Sequence, residues 1–300
     1  MKPSFAIVGC GRVGTALAIF LTRAGYRAAG FASKSISSAK RVANMVQSDH
    51  FSNVPWEITP AADIVFITTP DSAIPDTCTN ISQNIGFSGN AVVMHCSGAL
   101  ASSVLSSAKD CGAWIGSMHP LQSFASADYE TNPFQGIVVS IEGEERALES
   151  ARKISADLGA LGFEILTEAK TLYHASAVVA SNFLVTLLDL AIRLIGEAGV
   201  DRQDAFNLLK PLIEGTLSNI EKVGAQDALT GPIVRGDVKT VKKHIEEIGS
   251  KRPELLMLYK TLAFYTIDIA AARGAIQESS IQQLKSIAGI KGQLNENKYR

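Results

Sequence analysis

Three glycines, Gly9, Gly11 and Gly14, are spaced G-x-G-x-x-G at the end of an apolar run that starts at Phe5, and a helical pattern from Thr15 to Ala24 follows. That spacing suits phosphate chemistry. Gly9 permits the tight turn, Gly11 lets a pyrophosphate approach the backbone, and Gly14 lets the helix pack closely on its strand. The first amides of the helix then face the phosphates, with Arg12 and Val13 as further candidate contacts. A second set of candidate residues lies far along the chain, after Thr167, a good helix N-cap. If Glu168 to about Ala198 runs as one helix, Lys170, His174, Ser181, Asn182 and Asp189 share a sector about a third of its circumference wide. Val179, Phe183, Leu184, Leu187 and Leu190 lie opposite. This polar face is short and mostly neutral, which suits a semi-buried pocket. There His174 or Lys170 would transfer a proton, Asn182 would hydrogen-bond the reacting atom, and Ser181 would contact substrate.

Elements that could position these groups can be read in order. Arg27–Ala32 is predicted as a second strand, and Ser33-Lys34-Ser35 stands where an NAD-binding unit usually carries an acid. Hydroxyls and an ammonium welcome a 2′-phosphate that an acid would repel, and Arg12 and Arg41 are near in sequence, so NADP is favoured over NAD. Three more apolar runs end in turn residues: Ala62 to Asp71 with Thr69 and Pro70, Ala91 to Leu100 with Ser97 and Gly98, and Trp114 to Leu121 with His119. Ligands of open α/β sheets bind outside the carboxyl ends of strands, which places Thr69, Pro70 and Ser97 against the cofactor and His119 in the same crevice. Amides near Ser97 and Gly98 would hold an acidic substrate group. Gly136–Ile141 reads as a strand, Glu144–Leu158 as a charged surface helix and Phe163–Leu166 as a last strand, after which the pattern is helical. The prediction is α/β: a doubly wound dinucleotide-binding domain over residues 1–166, then an all-α substrate and dimerisation domain over 167–300, its last six residues frayed.

The composition agrees. Of 300 residues, 46% are hydrophobic and 19% charged, enough apolar material for two cores. The net charge of −1 provides no field for nucleic acid or an anionic membrane. No secretory leader is visible, so a cytoplasmic chain is expected. The four cysteines show no C-x-x-C spacing and are read as reduced packing thiols, with no metal site. The uncharged run Ala175–Leu188 is shorter than a bilayer crossing and is read as a buried core helix.

Several of these segments together resemble one family: Gly9 to Gly14, Thr69-Pro70-Asp71, His95-Cys96-Ser97-Gly98-Ala99, His119-Pro120-Leu121, Tyr173-His174-Ala175 with Ser181-Asn182, and Leu229 to Asp237. The chain resembles Rossmann-like proteins with a C-terminal domain of unknown function, DUF2520, often called F420-dependent NADP oxidoreductase-like. More distantly it is similar to the superfamily of 6-phosphogluconate dehydrogenase, ketopantoate reductase and pyrroline-5-carboxylate reductase. Several of those enzymes hold the reacting group with a Lys and an Asn one turn apart on the long helix. Here the helix reads Lys170-x-x-x-His174, with Asn182 two turns on.

The resemblance implies the fold and the cofactor class but no substrate, and the leading expectation is hydride transfer between NADP and a small carbonyl, imine or hydroxy substrate in the cleft between domains. The competing class is a non-catalytic NADP-binding sensor, and a weaker alternative is hydride exchange with the deazaflavin F420. It also implies a homodimer formed by the region after Thr167. Within that region Gly231-Pro232 stops one helix and Asp237 N-caps the next, Val238–Ile248, so the short connection could aim Arg235 at an anionic substrate.

Overall fold

The computed structural model describes residues 2–84, 86–124, 129–274 and 276–289, so the tail read as frayed lies outside the described residues. The N-terminal half alternates strand and helix: β1 (Ser4–Val8), α1 (Arg12–Arg23), β2 (Arg27–Ala32), α2 (Ile36–Met45), β3 (Phe51–Ser52) and β4 (Ile64–Ile67). It continues through α3 (Ile74–Asn84), β5 (Val92–His95), α4 (Ser106–Asp110), β6 (Trp114–Pro120), β7 (Val138–Gly143), α5 (Glu145–Asp157) and β8 (Leu161–Glu164). The described strands form one sheet in the order β3-β2-β1-β4-β5-β6-β7-β8. All neighbours are parallel except β6 and β7. The chain builds outward from β1 to β3 and returns to lay β4 on the other side of β1, which makes the β1/β4 boundary a topological switch point.

Period-two patterning explains why the sheet is covered on both faces. Phe5, Ile7, Phe66 and Met94 enter one core with α1 residues Leu17 and Leu21. Their neighbours Ala6, Val8, Val65, Ile67 and Val93 enter the other with Ile74, Cys78 and Ile81 of α3. The four cysteines are free thiols, as expected, and burial raises those of Cys10 and Cys96 to about 11 and about 12.

From Lys170 onward the chain is helical: α6 (Lys170–Val178), a π-helical turn (Val179–Phe183), α7 (Leu184–Gly196), α8 (Arg202–Asp227), α9 (Val238–Lys251), α10 (Pro253–Ala272) and α11 (Glu278–Ala288). Asp237 caps α9 as expected, its carboxylate accepting from the Thr240 amide at 3.0 Å and the Thr240 hydroxyl at 2.7 Å. The packing divides the chain at 180/181, inside the long helical stretch and past its expected start at 167. The second unit has its own core of Phe264, Ile267, Leu284, Val241 and Ile233 from α9, α10, α11 and the turn before α9.

Three expectations for the long helix do not hold. Thr167 is not its N-cap, because the hydroxyl donates to Glu142 Oε2 at 3.0 Å and residues Thr167–Ala169 form a 3-10 turn. The helix is also not one continuous α-helix. The π turn at Val179–Phe183 is wound more loosely than the 3.6 residues per turn that the shared sector requires. Nor is it buried: Leu172, Val179, Phe183 and Val185 are exposed, and only Leu190 among the predicted apolar face is in a core. Thr167–Gly196 and Pro253–Ala272 are each long and apolar enough to cross a membrane by length and composition.

Candidate functional site

The carboxyl end of β1 forms the turn that the glycine spacing predicts. Gly9 adopts φ +110°, and a Cβ there would lie 2.6 Å from the Thr68 carbonyl carbon and the Thr69 amide nitrogen. At Gly14 a Cβ would lie 2.2 Å from the Gly9 carbonyl oxygen, so only glycine lets α1 meet the turn. Gly11, by contrast, has nothing within 4 Å of its Cβ position, which leaves backbone open to a ligand. Thr68, which the sequence reading passed over, locks the turn by donating its hydroxyl to Gly9 O at 2.6 Å. Beside it the Thr69 hydroxyl is buried with no partner among the described residues, while Pro70 and Val13 flank the turn.

Cations gather beyond β2. Lys34, Lys40 and Arg41 are exposed, with none of them in an ion pair among the described residues. Lys40 and Arg41 line an open depression of about 510 Å³ with Ser37, Asn44 and Met45. Arg41 also donates to Cys10 O at 3.4 Å, which ties it to the glycine turn. Ser35 is the N-cap residue of α2, its hydroxyl 2.7 Å from that of Ser37, and Ser33 donates its amide to Ser52 O. Arg12 turns elsewhere, to Phe124 O at 3.3 Å.

A polar cluster fills the carboxyl ends of β5 and β6, built by the Rossmann-type sheet and α6. Ser97 is committed to structure: its hydroxyl donates to Asp71 Oδ2 at 2.7 Å and accepts from the Ala99 and Leu100 amides. Its own amide donates to His95 Nδ1 at 3.1 Å, and His95 Nε2 donates to Ala101 O at 3.2 Å. The Ser97, Ala99 and Leu100 amides are therefore engaged within the turn itself. The two bonds fix His95 as the neutral Nε2–H tautomer, in line with its proton affinity falling to about 4 through burial and then the Lys170 charge.

Gly98 is where α6 comes closest. A Cβ on Gly98 would lie 2.5 Å from His174 Nδ1 and 2.8 Å from His119 Nε2, so the two imidazoles converge on one bare Cα. Their rings meet edge to face at 6.1 Å. The Tyr173 hydroxyl lies 3.1 Å from His119 Nδ1 and holds that ring in place. Burial, followed by the Lys170 charge, lowers His119 to about 4.

Lys170 lies beneath, 1% exposed. Its ammonium hydrogen-bonds Ser117 Oγ and pairs with Glu142 Oε1 at 3.4 Å. Glu142 also accepts from the Ser102 amide at 2.9 Å, the Ser102 hydroxyl at 2.7 Å and Thr167. Burial pushes the Lys170 ammonium below its ordinary range, and Glu142 opposes that shift. A buried, fully engaged ammonium anchors α6 and sets the local field. Both of its described partners, Ser117 and Glu142, lie in the first unit.

Among the predicted site residues, the first unit brings together His119, His174, Lys170, Ser97 and Gly98. Ser181, Asn182 and Arg235 belong to the second unit and are exposed there. Asp189 pairs with Arg193 at 2.8 Å and Arg202 at 3.5 Å, an ordinary surface arrangement. Sequence reasoning missed Tyr173 and Glu142. Tyr173 could have been found as the neighbour of His174, and Glu142 as the lone acid ending an apolar strand.

The sheet with its switch-point glycine turn defines a dinucleotide-binding class of fold. Residues 2–120 match the model of a Rossmann-like domain and residues 137–266 that of a domain of unknown function, DUF2520. The chain is a Rossmann-like protein carrying a DUF2520 domain. No curated protein matches it. Among solved structures it is similar to protein TM1727 from Thermotoga maritima, at 29% identity over 90% of this chain and 99% of that one, with a TM-score of 0.69. A protein named as a candidate NADP oxidoreductase, BF3122 from Bacteroides fragilis, matches at 23% identity over 89% and 98%, TM-score 0.71. A pyrroline-5-carboxylate reductase from Coxiella burnetii matches at 12% identity over 96% and 99%, TM-score 0.59. The last two are likenesses of fold.

Proposed function

We propose that this chain is an NADP-dependent oxidoreductase that acts on a small carbonyl, imine or hydroxy substrate. The observation that carries this reading is the convergence of His119 and His174 on Gly98, at a strand end of a sheet whose switch point carries the open glycine turn. The reductase names among its structural neighbours point the same way. The residues fit the cofactor. Gly11 leaves room for the pyrophosphate, Thr69 has an unpartnered hydroxyl beside the turn, and Lys34, Lys40 and Arg41 suit a 2′-phosphate. NADPH would supply a hydride pair to the carbonyl or imine carbon; the π pair moves to oxygen or nitrogen, which then takes a proton. This chain's contribution is to present His174 to that atom, to hold His119 through Tyr173, and to anchor α6 beneath them through the Lys170–Glu142 pair.

Cofactor preference tests the phosphate assignment. NADPH should bind more tightly than NADH, and Lys34→Asp should narrow the ratio of dissociation constants at least about tenfold by placing an acid where the phosphate sits. Equal constants in the unmodified protein, measured by calorimetry, would remove this assignment.

We also infer a homodimer formed by the helical region. Leu208, Leu212, Leu217 and Val223 on α8 and Phe183, Val185 and Leu187 around α7 are exposed, more apolar surface than a monomer keeps in water. A bilayer is a poor alternative for Thr167–Gly196, because spanning would pull Lys170 away from Glu142 and Ser117. Light scattering at micromolar concentration should give twice the 31.9 kDa chain mass, and a monomer would overturn this.

A further inference from the structure

His174 Nδ1 is one of the few buried side-chain polar atoms without a hydrogen-bond partner among the described residues, and the atom it faces is identified. It points at the Cα of Gly98, where a Cβ would come within 2.5 Å, while the His174 side chain as a whole keeps part of its surface exposed. A ring nitrogen sealed against a methylene is tolerable as a lone pair. As an N–H it would be a buried donor with no acceptor, the rarer and more costly orphan. No acceptor among the described residues lies within hydrogen-bond reach of that nitrogen. His119 cannot rotate to accept, because Tyr173 holds its far nitrogen and its Nε2 lies against the same Gly98.

We infer that His174 is held as the Nε2–H tautomer and offers that N–H to the oxygen of a substrate carbonyl, so that the substrate class is an aldehyde or ketone and its alcohol, not an iminium. The assignment of class rests on the reductase reading above; the tautomer does not. An oxygen that gathers negative charge as hydride arrives accepts a hydrogen bond more strongly in the transition state than before it. An iminium nitrogen has no lone pair to accept one. In the balanced step, hydride reduces the carbonyl carbon, the π pair becomes an oxygen lone pair, and that oxygen is protonated by water while His174 keeps its own proton.

Two measurements test this. Nitrogen-15 NMR of histidine-labelled protein, assigned with a His174→Gln control, should show Nε2 protonated and Nδ1 bare; a proton on Nδ1 overturns the tautomer. Kinetics tests the role. Gln places an amide N–H near the position of Nε2 and Asn near that of Nδ1. His174→Gln should therefore keep kcat/KM within about tenfold, and His174→Asn should lose about 10²–10³-fold, the usual effect of removing one such donor. Equal losses overturn the donor role. Faster turnover of preformed cyclic iminium ions than of aldehydes and ketones overturns the substrate class. If NADPH is oxidised by neither, the reductase reading fails and the class with it, while the NMR result still decides the tautomer.

Discussion

Glu142→Ala should lower the unfolding free energy by about 3–5 kcal/mol, the usual consequence of breaking a buried ion pair from one side. Lys170 would be left 1% exposed with Ser117 as its remaining direct partner, and the Ser102 amide, Ser102 hydroxyl and Thr167 hydroxyl would lose their shared acceptor. The second substitution Lys170→Met should recover part of the loss, since an apolar side chain of similar length removes the stranded charge. Denaturant unfolding of the two single variants and the double variant measures the coupling. A loss below about 1 kcal/mol for Glu142→Ala would place the pair among ordinary surface contacts.

Gly98→Ala should have a different outcome: a fold that survives and a site that does not. The new methyl meets the imidazole edges of His174 and His119, not backbone, so the rings can swing away and relieve the clash. Because Tyr173 fixes His119 from the other side, His174 has to move furthest. Misplacement by about 1 Å lowers rates by about 10²-fold, so kcat/KM should fall by at least that factor with the unfolding midpoint little changed. Unaltered kcat/KM would remove Gly98 and the imidazoles from the reacting centre. The contrast with Gly14 is instructive. A Cβ there meets the Gly9 carbonyl oxygen at 2.2 Å, backbone that cannot swing aside.

The dinucleotide half was legible because its physics is local. Gly9 and Gly14 each have one steric reason to be glycine, and β2 begins at Arg27 and ends at Ala32 as the apolar run suggested. His119 and Gly98 were also legible, as residues at the ends of buried strands. The helical face was not, because its prediction assumed 3.6 residues per turn throughout and the π turn at Val179–Phe183 breaks that register. Lys170 was found for its charge but not as half of a buried pair, since its acid, Glu142, is 28 residues away on β7 and no local pattern joins them. Tyr173 was read only within the Tyr173-His174-Ala175 segment and given no role of its own. Its partner, His119, is 54 positions away.

The central claim is that this fold turns over. The most direct test is NADPH oxidation by the purified chain across a panel of aldehydes, ketones, keto acids and cyclic imines, with His174→Ala measured alongside. Oxidation of NADPH by at least one carbonyl substrate, reduced at least about 10²-fold in His174→Ala, is the predicted result. Tight NADPH binding with no turnover across the panel, or turnover indifferent to His174, would contradict it.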